Sequence, residues 1–144
     1  MNALTLLRKD HREVKELLKE AEDADTTQKQ KLFQQLKGDL QVHEAIEEEI
    51  FYPALKEHPK TKELTLEAYE EHEVVDHVMG QLERLSPDDQ TWDAKFSVME
   101  ENLKHHINEE EREMFEQAQK VFSDDELEQL GDQMMRRKEQ LGGA

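Results

Sequence analysis

Two segments of the sequence share the same spacing of histidine and glutamate. In each, a histidine is followed four residues later by a glutamate that belongs to a glutamate run, and nine residues later by an aromatic residue; the segments begin at His43 and His106. Side chains four residues apart lie one turn apart on the same face of an α-helix. His43 should therefore face the same way as Glu47, and His106 the same way as Glu110. Such a pair can hold one metal ion, or its carboxylate can reach a second ion.

Two further histidines share a shorter pattern: an acidic residue, the histidine, two residues and a valine. This pattern occurs at His11 and at His72. Along the chain the order is therefore a single histidine, a histidine–glutamate pair, a single histidine and a second pair. The order predicts one ligand set contributed by four helices.

The apolar residues recur at helical intervals, and the chain has five glycines, three prolines and few β-branched residues. This pattern predicts an all-α protein, an up-down antiparallel four-helix bundle with a C-terminal accessory helix. We expect residues 1–122 to form the bundle, and residues 123–144 to form an amphipathic helix and short tail of the same domain. Pro53 should kink the second helix, and Ser123 and Glu126 form a capping box for the fifth. The predicted helices span residues 3–23, 28–57, 62–85, 86–121 and 123–140.

The candidate ligands lie on the apolar stripes that the helices should bury. On the second helix, for example, the stripe runs through His43 and Glu47 to Ile50 and Ala54. The histidines outside the stripes are excluded as ligands. Glu44 and Glu109 lie beside the stripes and are secondary candidates. Tyr52 and Tyr69 could hydrogen-bond near the site, although packing is the preferred interpretation, and the other glutamates of the runs should face solvent. The candidates on the stripes are His11, His43, Glu47, His72, His106 and Glu110.

A carboxylate without a partner costs several kcal/mol in a bundle core. Two such carboxylates, each one turn from a histidine, need protons, cations or a metal. Imidazole together with carboxylate suits iron, whereas zinc more often takes fewer and softer ligands. The six residues therefore predict a metal site.

These residues resemble the hemerythrin-like family, also called the HHE cation-binding domain, over roughly residues 3–120. The resemblance implies a four-helix bundle that holds two iron ions, Fe²⁺ or Fe³⁺, bridged by carboxylates and an oxo or hydroxo group. It implies as metal ligands the residues at the matching positions: His11, His43, Glu47, His72, His106 and Glu110.

The chain departs from the oxygen-carrying hemerythrins in two places. Asp76 stands where their third helix has a second histidine, and the fourth helix carries His-x-x-x-Glu in place of His-x-x-x-x-Asp. The set is closer to the four-histidine, two-glutamate pattern of bacterial iron-centre repair proteins and of the iron-sensing domain of an F-box ubiquitin ligase. One histidine fewer opens a coordination position for water, peroxide or nitric oxide.

The net charge of −17 argues against binding nucleic acid or an anionic membrane. With no cysteine, thiolate sites are excluded, and no signal peptide is evident, so we expect a cytoplasmic protein. Three functions are open. The first is a di-iron protein, with or without enzymatic turnover, that handles oxygen, peroxide or nitric oxide. The others are an iron-binding, sensing or storage module and a metal-free acidic interaction domain. The fifth helix should bury its apolar stripe on the bundle or in a homodimer.

Overall fold

Five helices make up most of the computed structural model, which describes residues 1–142. Gly143 and Ala144, part of the predicted tail, lie outside the described residues. Helix α1 is Ala3–Glu22, α3 is Pro59–Glu83 and α5 is Asp124–Gln140. Helix α2 runs through Thr26–Ile46, a π-helical turn at Glu47–Phe51, and Tyr52–Lys56. Helix α4 runs likewise through Trp92–Glu109, a π-helical turn at Glu110–Met114, and Phe115–Val121.

Side-chain caps fix several helix starts. Asn2 accepts a hydrogen bond from the amide of Leu4, and the predicted capping box of Ser123 and Glu126 is present. Helix α4 begins six residues later than predicted, at Trp92 rather than Ser86. The carboxylate of Asp89 accepts hydrogen bonds from the amide and hydroxyl of Thr91, so residues 86–91 form turns that compete with the helix.

The π-helical turns change which residues face the core. A π-turn holds one residue more than an α-turn, so the buried stripe of α2 shifts by one position after Glu47. The predicted stripe residues Ile50 and Ala54 are only half-buried, while Phe51 and Leu55 are fully buried. The chain passes through Pro53 as helix, and the second π-turn occurs in a segment without proline. Proline alone therefore does not explain these turns.

The first four helices form the predicted bundle, with α1 packed on α2, α2 on α3 and α3 on α4. Its core consists of two apolar clusters, one around Leu7, Phe51 and Phe115 and the other around Leu36 and Met99. The predicted ligands lie between the two clusters along the helices. Within residues 1–142, no helix is both long and apolar enough to span a membrane.

Helix α5 packs its apolar stripe against the chain's own bundle, on both α1 and α2. Leu127 and Met134 are buried there, so the structure realises the first of the two predicted arrangements. A homodimer through the same helix stays a prediction. Between these residues, a Cβ atom built on Gly131 would lie 1.9 Å from the carbonyl oxygen of Met1. Only glycine allows this close approach of the two backbones.

We expect Gly131→Ala to lower the free energy of unfolding by roughly 1–3 kcal/mol, because the added methyl group collides with backbone. Gly80→Ala is the matched control, since its Cβ would meet nothing within 4 Å in the described structure and alanine favours the helix by roughly 0.5–1 kcal/mol. Urea denaturation of both variants measures the effect. A Gly131→Ala protein as stable as the Gly80→Ala protein would contradict the close packing of α5 on the N-terminus.

Candidate metal centre

The structure buries all six predicted ligands in one layer of the bundle. Their exposed fractions lie between 0% and 6%. Two groups of these six residues have potential ligand atoms that lie within 4.8 Å of one another. The first group contains His11, His43, Glu47 and Glu110; the second contains Glu47, His72 and His106. The structure thus brings together the residues that the sequence singled out, and their role as ligands stays a prediction.

The two glutamates lie between two pairs of imidazoles. Glu47 Oε1 is 3.1 Å from His43 Nε2 and 3.2 Å from His72 Nε2. Glu110 approaches the other two rings, with Oε1 3.2 Å from His11 Nε2 and Oε2 3.3 Å from His106 Nε2. Each carboxylate therefore connects one histidine of the α1–α2 pair to one of the α3–α4 pair. Each carboxylate could therefore contribute a metal ligand to either half of the site.

Several buried polar atoms of this layer have no hydrogen-bond partner in the described structure. They are Nε2 of His11, Oε1 of Glu110 and both carboxylate oxygens of Glu47. Buried polar atoms are nearly always paired, and an unpaired charged oxygen costs several kcal/mol. Unpaired oxygen and imidazole nitrogen atoms that converge on one point are suited to a divalent or trivalent cation. The residues present therefore fit a metal.

A carboxylate orients each of the four imidazoles by accepting a hydrogen bond from Nδ1, and none of these four carboxylates was predicted to have this role. Such a carboxylate fixes the ring and leaves Nε2 free for a metal. The pairs are His11 with Glu111 at 2.6 Å, His43 with Asp10 at 2.9 Å, His72 with Glu48 at 2.9 Å and His106 with Glu71 at 2.8 Å.

A sequence signal for these carboxylates exists. Asp10 and Glu71 each precede a candidate histidine, and Glu48 and Glu111 each follow a candidate glutamate. The expectation that the other glutamates of the runs merely face solvent is therefore wrong for Glu48 and Glu111. Neighbouring helical residues differ by about 100° in direction, so an acid next to an inward ligand points toward the adjacent helix. There it meets the histidine of that helix.

Tyr52 also belongs to the site, which corrects the preference for a packing role. Its hydroxyl donates a hydrogen bond to Glu110 Oε2 and lies 3.3 Å from His72 Nε2. Burial, followed by the charges of Glu110 and Glu47, holds the pKa of Tyr52 well above its usual value, so the phenol keeps its proton. The equivalent residue of the second segment is Phe115, which stacks on His11. The two halves of the site therefore differ by one hydroxyl group.

In the metal-free protein, protons on imidazoles supply positive charge next to the buried carboxylates. Burial lowers the pKa of His106, but Glu110 and Glu71 outweigh it and raise this pKa to about 10. At His43, burial also lowers the pKa, but Glu47 and Asp10 outweigh it and raise this pKa well above its usual value. His43 and His106 are thus protonated at neutral pH without metal. They act as the cations that the buried carboxylates require.

Of the secondary candidates, Glu44 lines a small cavity together with the four imidazoles, and its carboxylate lies within 4.8 Å of ligand atoms of Glu48 and His72. Glu44 is buried, and burial together with a hydrogen bond to Asp76 raises its pKa to about 10, so it carries a proton. Glu109 forms a half-exposed cluster with Glu71 and His105. His77, which the stripe test excluded, is exposed and lies 3.3 Å from the amide of Gln81.

We expect Tyr52→Phe to fold, because the equivalent position holds Phe115. The variant leaves Glu110 Oε2 without its donor, which should lower the free energy of unfolding of the metal-free protein by about 1.5–3 kcal/mol. A bound metal would satisfy this oxygen, so the rise in melting temperature on metal loading should be larger than in wild type. Tyr69→Phe is the control, since its hydroxyl makes only a 3.4 Å contact to a backbone carbonyl. An unchanged metal-induced rise would contradict a role of Tyr52 at Glu110.

Known proteins resemble the chain over nearly its whole length. The model of the hemerythrin HHE cation binding domain matches residues 2–118. Protein Rv2633c of Mycobacterium tuberculosis is 32% identical, with all of this chain and 89% of that protein covered. A crystal structure is known for an HHE cation binding domain-containing protein of Mycobacterium kansasii, a homolog of Rv2633c. It superposes on this chain with a TM-score of 0.88 at 30% identity, and the match covers 98% of this chain and 87% of that one. A DNA nickase of Nostoc is 26% identical, and the chain spans 42% of it.

Proposed function

Since the chain belongs to the hemerythrin HHE cation-binding domain family, we propose that it holds two iron ions between its imidazole pairs and that this centre interacts with oxygen, peroxide or nitric oxide. His11 and His43 would hold one ion, and His72 and His106 the other. Glu47 and Glu110 would supply carboxylate oxygens to both halves of the site. The observation that carries this proposal is the set of unpaired carboxylate oxygens between four imidazoles, each oriented by its own carboxylate.

The chain's own residues would bind and orient the ions and limit the access of water. The Nδ1 contacts to the four carboxylates hold each Nε2 toward the centre. On one side, a cavity of about 10 Å³ separates the imidazoles from Leu40, Val75, Leu103 and Ile107. This space is about that of one water molecule, and its apolar wall favours a small ligand over bulk solvent. Iron bound here supplies a Lewis acid and a redox centre with room for one such ligand.

Tyr52 is the residue best placed to give a proton to such a ligand. Its protonated hydroxyl lies within 3.5 Å of the Nε2 atoms of both His72 and His106. Because the equivalent position near His11 holds a phenylalanine, proton donation would come from one side of the centre only. This asymmetry favours a redox or ligand-binding role over a purely structural metal.

The first test is the metal content of protein purified without chelator, together with its ultraviolet and visible spectrum. We expect about two irons per chain, either as purified or after anaerobic loading with ferrous iron. A protein that takes up no iron under either condition would overturn the proposal. The metal-free interaction domain would then be the better hypothesis.

A second candidate function is an iron-binding, sensing or storage module without turnover. It is favoured by the position of the site between the two apolar clusters of the core, where occupancy must change the stability of the whole bundle. Repeated peroxide additions to the iron-loaded protein separate the two functions. Many turnovers per chain support the redox function, and a single stoichiometric oxidation supports sensing or storage.

A further inference from the structure

A lysine from outside the four-helix bundle is connected to one of the candidate ligands. The ammonium group of Lys138, near the end of α5, lies 2.7 Å from Asp10 Oδ1. The other oxygen of Asp10 is 2.9 Å from His43 Nδ1. The side chains of Lys138 and Asp10 are 13% and 6% exposed. A nearly buried chain of contacts thus leads from α5 to the metal-facing Nε2 of His43.

Two of the other three orienting carboxylates have a second partner within the bundle. Glu111 also contacts Arg8 of α1, at 3.5 Å. Glu71 is 3.8 Å from His105 of α4. Within residues 1–142, Asp10 alone among the four forms an ion pair with a residue of α5. Because Asp10 orients His43, this contact concerns the half of the site formed by His11 and His43.

Helix α5 does not depend on Lys138 for its position. Leu127 and Met134 bury its apolar stripe, and Arg137 binds both carboxylate oxygens of Glu49, at 2.9 and 3.1 Å. A cavity of about 480 Å³ lies beside Asp10 and Lys138, between α1, α2 and the end of α5. If the ammonium group were removed, Asp10 could turn toward water in this cavity. The packing of α5 would remain.

We propose that Lys138 is a positioning residue that couples the docking of α5 to metal binding by the His11–His43 half of the site. The inference rests on the proposed metal centre. Lys138 keeps Asp10 in the orientation in which it accepts the Nδ1 proton of His43, and this fixes Nε2 toward the ion. Coupling is reciprocal, so an ion bound by His43 stabilises the end of α5. The half formed by His72 and His106 is independent of this contact.

The test is an anaerobic titration with Co²⁺, followed by visible absorption, of the full chain and three variants. We expect Lys138→Met to weaken binding of one of two Co²⁺ ions by about tenfold or more, and to leave the other unchanged. Lys138→Arg should restore binding to within a few-fold, since it keeps a donor for Asp10. Arg137→Met is the matched control: it removes a neighbouring ion pair of α5 that leads to no ligand, and it should bind both ions as wild type does.

Two outcomes would overturn the inference: unchanged binding of both ions by folded Lys138→Met, or equal weakening by Arg137→Met, which would indicate general loosening of α5. A wild-type chain that binds neither Co²⁺ nor ferrous iron would instead overturn the proposed metal centre. Should Lys138→Met fail to fold, trypsin cleavage of wild type after Arg136, Arg137 and Lys138 provides the test. Co²⁺ should slow this cleavage, and an equal rate with and without bound Co²⁺ would contradict the coupling.

Discussion

Replacing His43 and His106 together by alanine is expected to abolish metal binding. The double variant removes one imidazole from each half of the site, so each ion would keep a single histidine beside the two glutamates. It also removes the contact that each glutamate makes with the histidine of its own helix, at 3.1 Å and 3.3 Å. Metal analysis after anaerobic ferrous loading measures the effect. Unchanged iron stoichiometry would contradict the ligand assignment.

The matched control is His77→Ala, which removes an exposed histidine that lies outside the site from the same bundle. It should bind iron as the wild-type protein does. Loss of the buried imidazoles leaves carboxylates without a counter-charge, which typically costs about 3–5 kcal/mol, so circular dichroism must accompany the metal analysis. The single variants His43→Ala and His106→Ala provide a second measurement. Each should lose most of its affinity for at least one of the two ions.

The stability of the metal-free protein is expected to fall as the pH rises from about 6.5 to 10. The pKa of His106 is about 10 in the folded protein against an ordinary value of 6.5. The folded state therefore binds more protons than the unfolded state in this range, so its stabilisation is complete below pH 6.5 and is lost as the pH approaches 10. The slope is up to about 1.4 kcal/mol per pH unit for each such group. Glu44 acts in the same direction, because its raised pKa, also about 10, keeps a proton on the folded state.

Metal loading is expected to reverse this dependence. An imidazole must lose the proton on Nε2 to bind an ion there, while Nδ1 still donates its hydrogen bond to the carboxylate. Metal affinity therefore rises with pH. The difference in melting temperature between Co²⁺-loaded and chelator-treated protein should therefore be larger at pH 8.5 than at pH 6. Thermal unfolding across this range, without oxygen, measures both curves. A metal-free protein that becomes more stable between pH 6.5 and 9 would contradict the protonated imidazoles.

The positions of the six candidate ligands could be predicted because they depend on a local rule. Polar residues such as His11 and His72 lie on apolar stripes at helical spacing, and a residue on such a stripe is buried wherever the helix packs. The structure buries all six. The four-helix bundle followed from the same periodicity and from the short connections between the helices.

The sequence could not place the side chains beyond the two π-helical turns, which carry no recognisable local signal. Tyr52 is nine residues after His43, which on a regular α-helix would put the two on opposite faces, at about 100° per residue. The turn at Glu47–Phe51 adds one residue and brings Tyr52 back to the interior. A regular helix would instead bury Ile50 and Ala54, the residues of the predicted stripe.

By itself, the sequence determined the helices, the family and the buried polar layer, because each follows from spacing along one helix or from the order of motifs. Only the tertiary structure decided which acid meets which histidine, and that α5 brings Lys138 to Asp10. Those contacts depend on the rotation and axial offset of one helix against another. These quantities result from packing of the whole bundle, and no single segment of sequence encodes them.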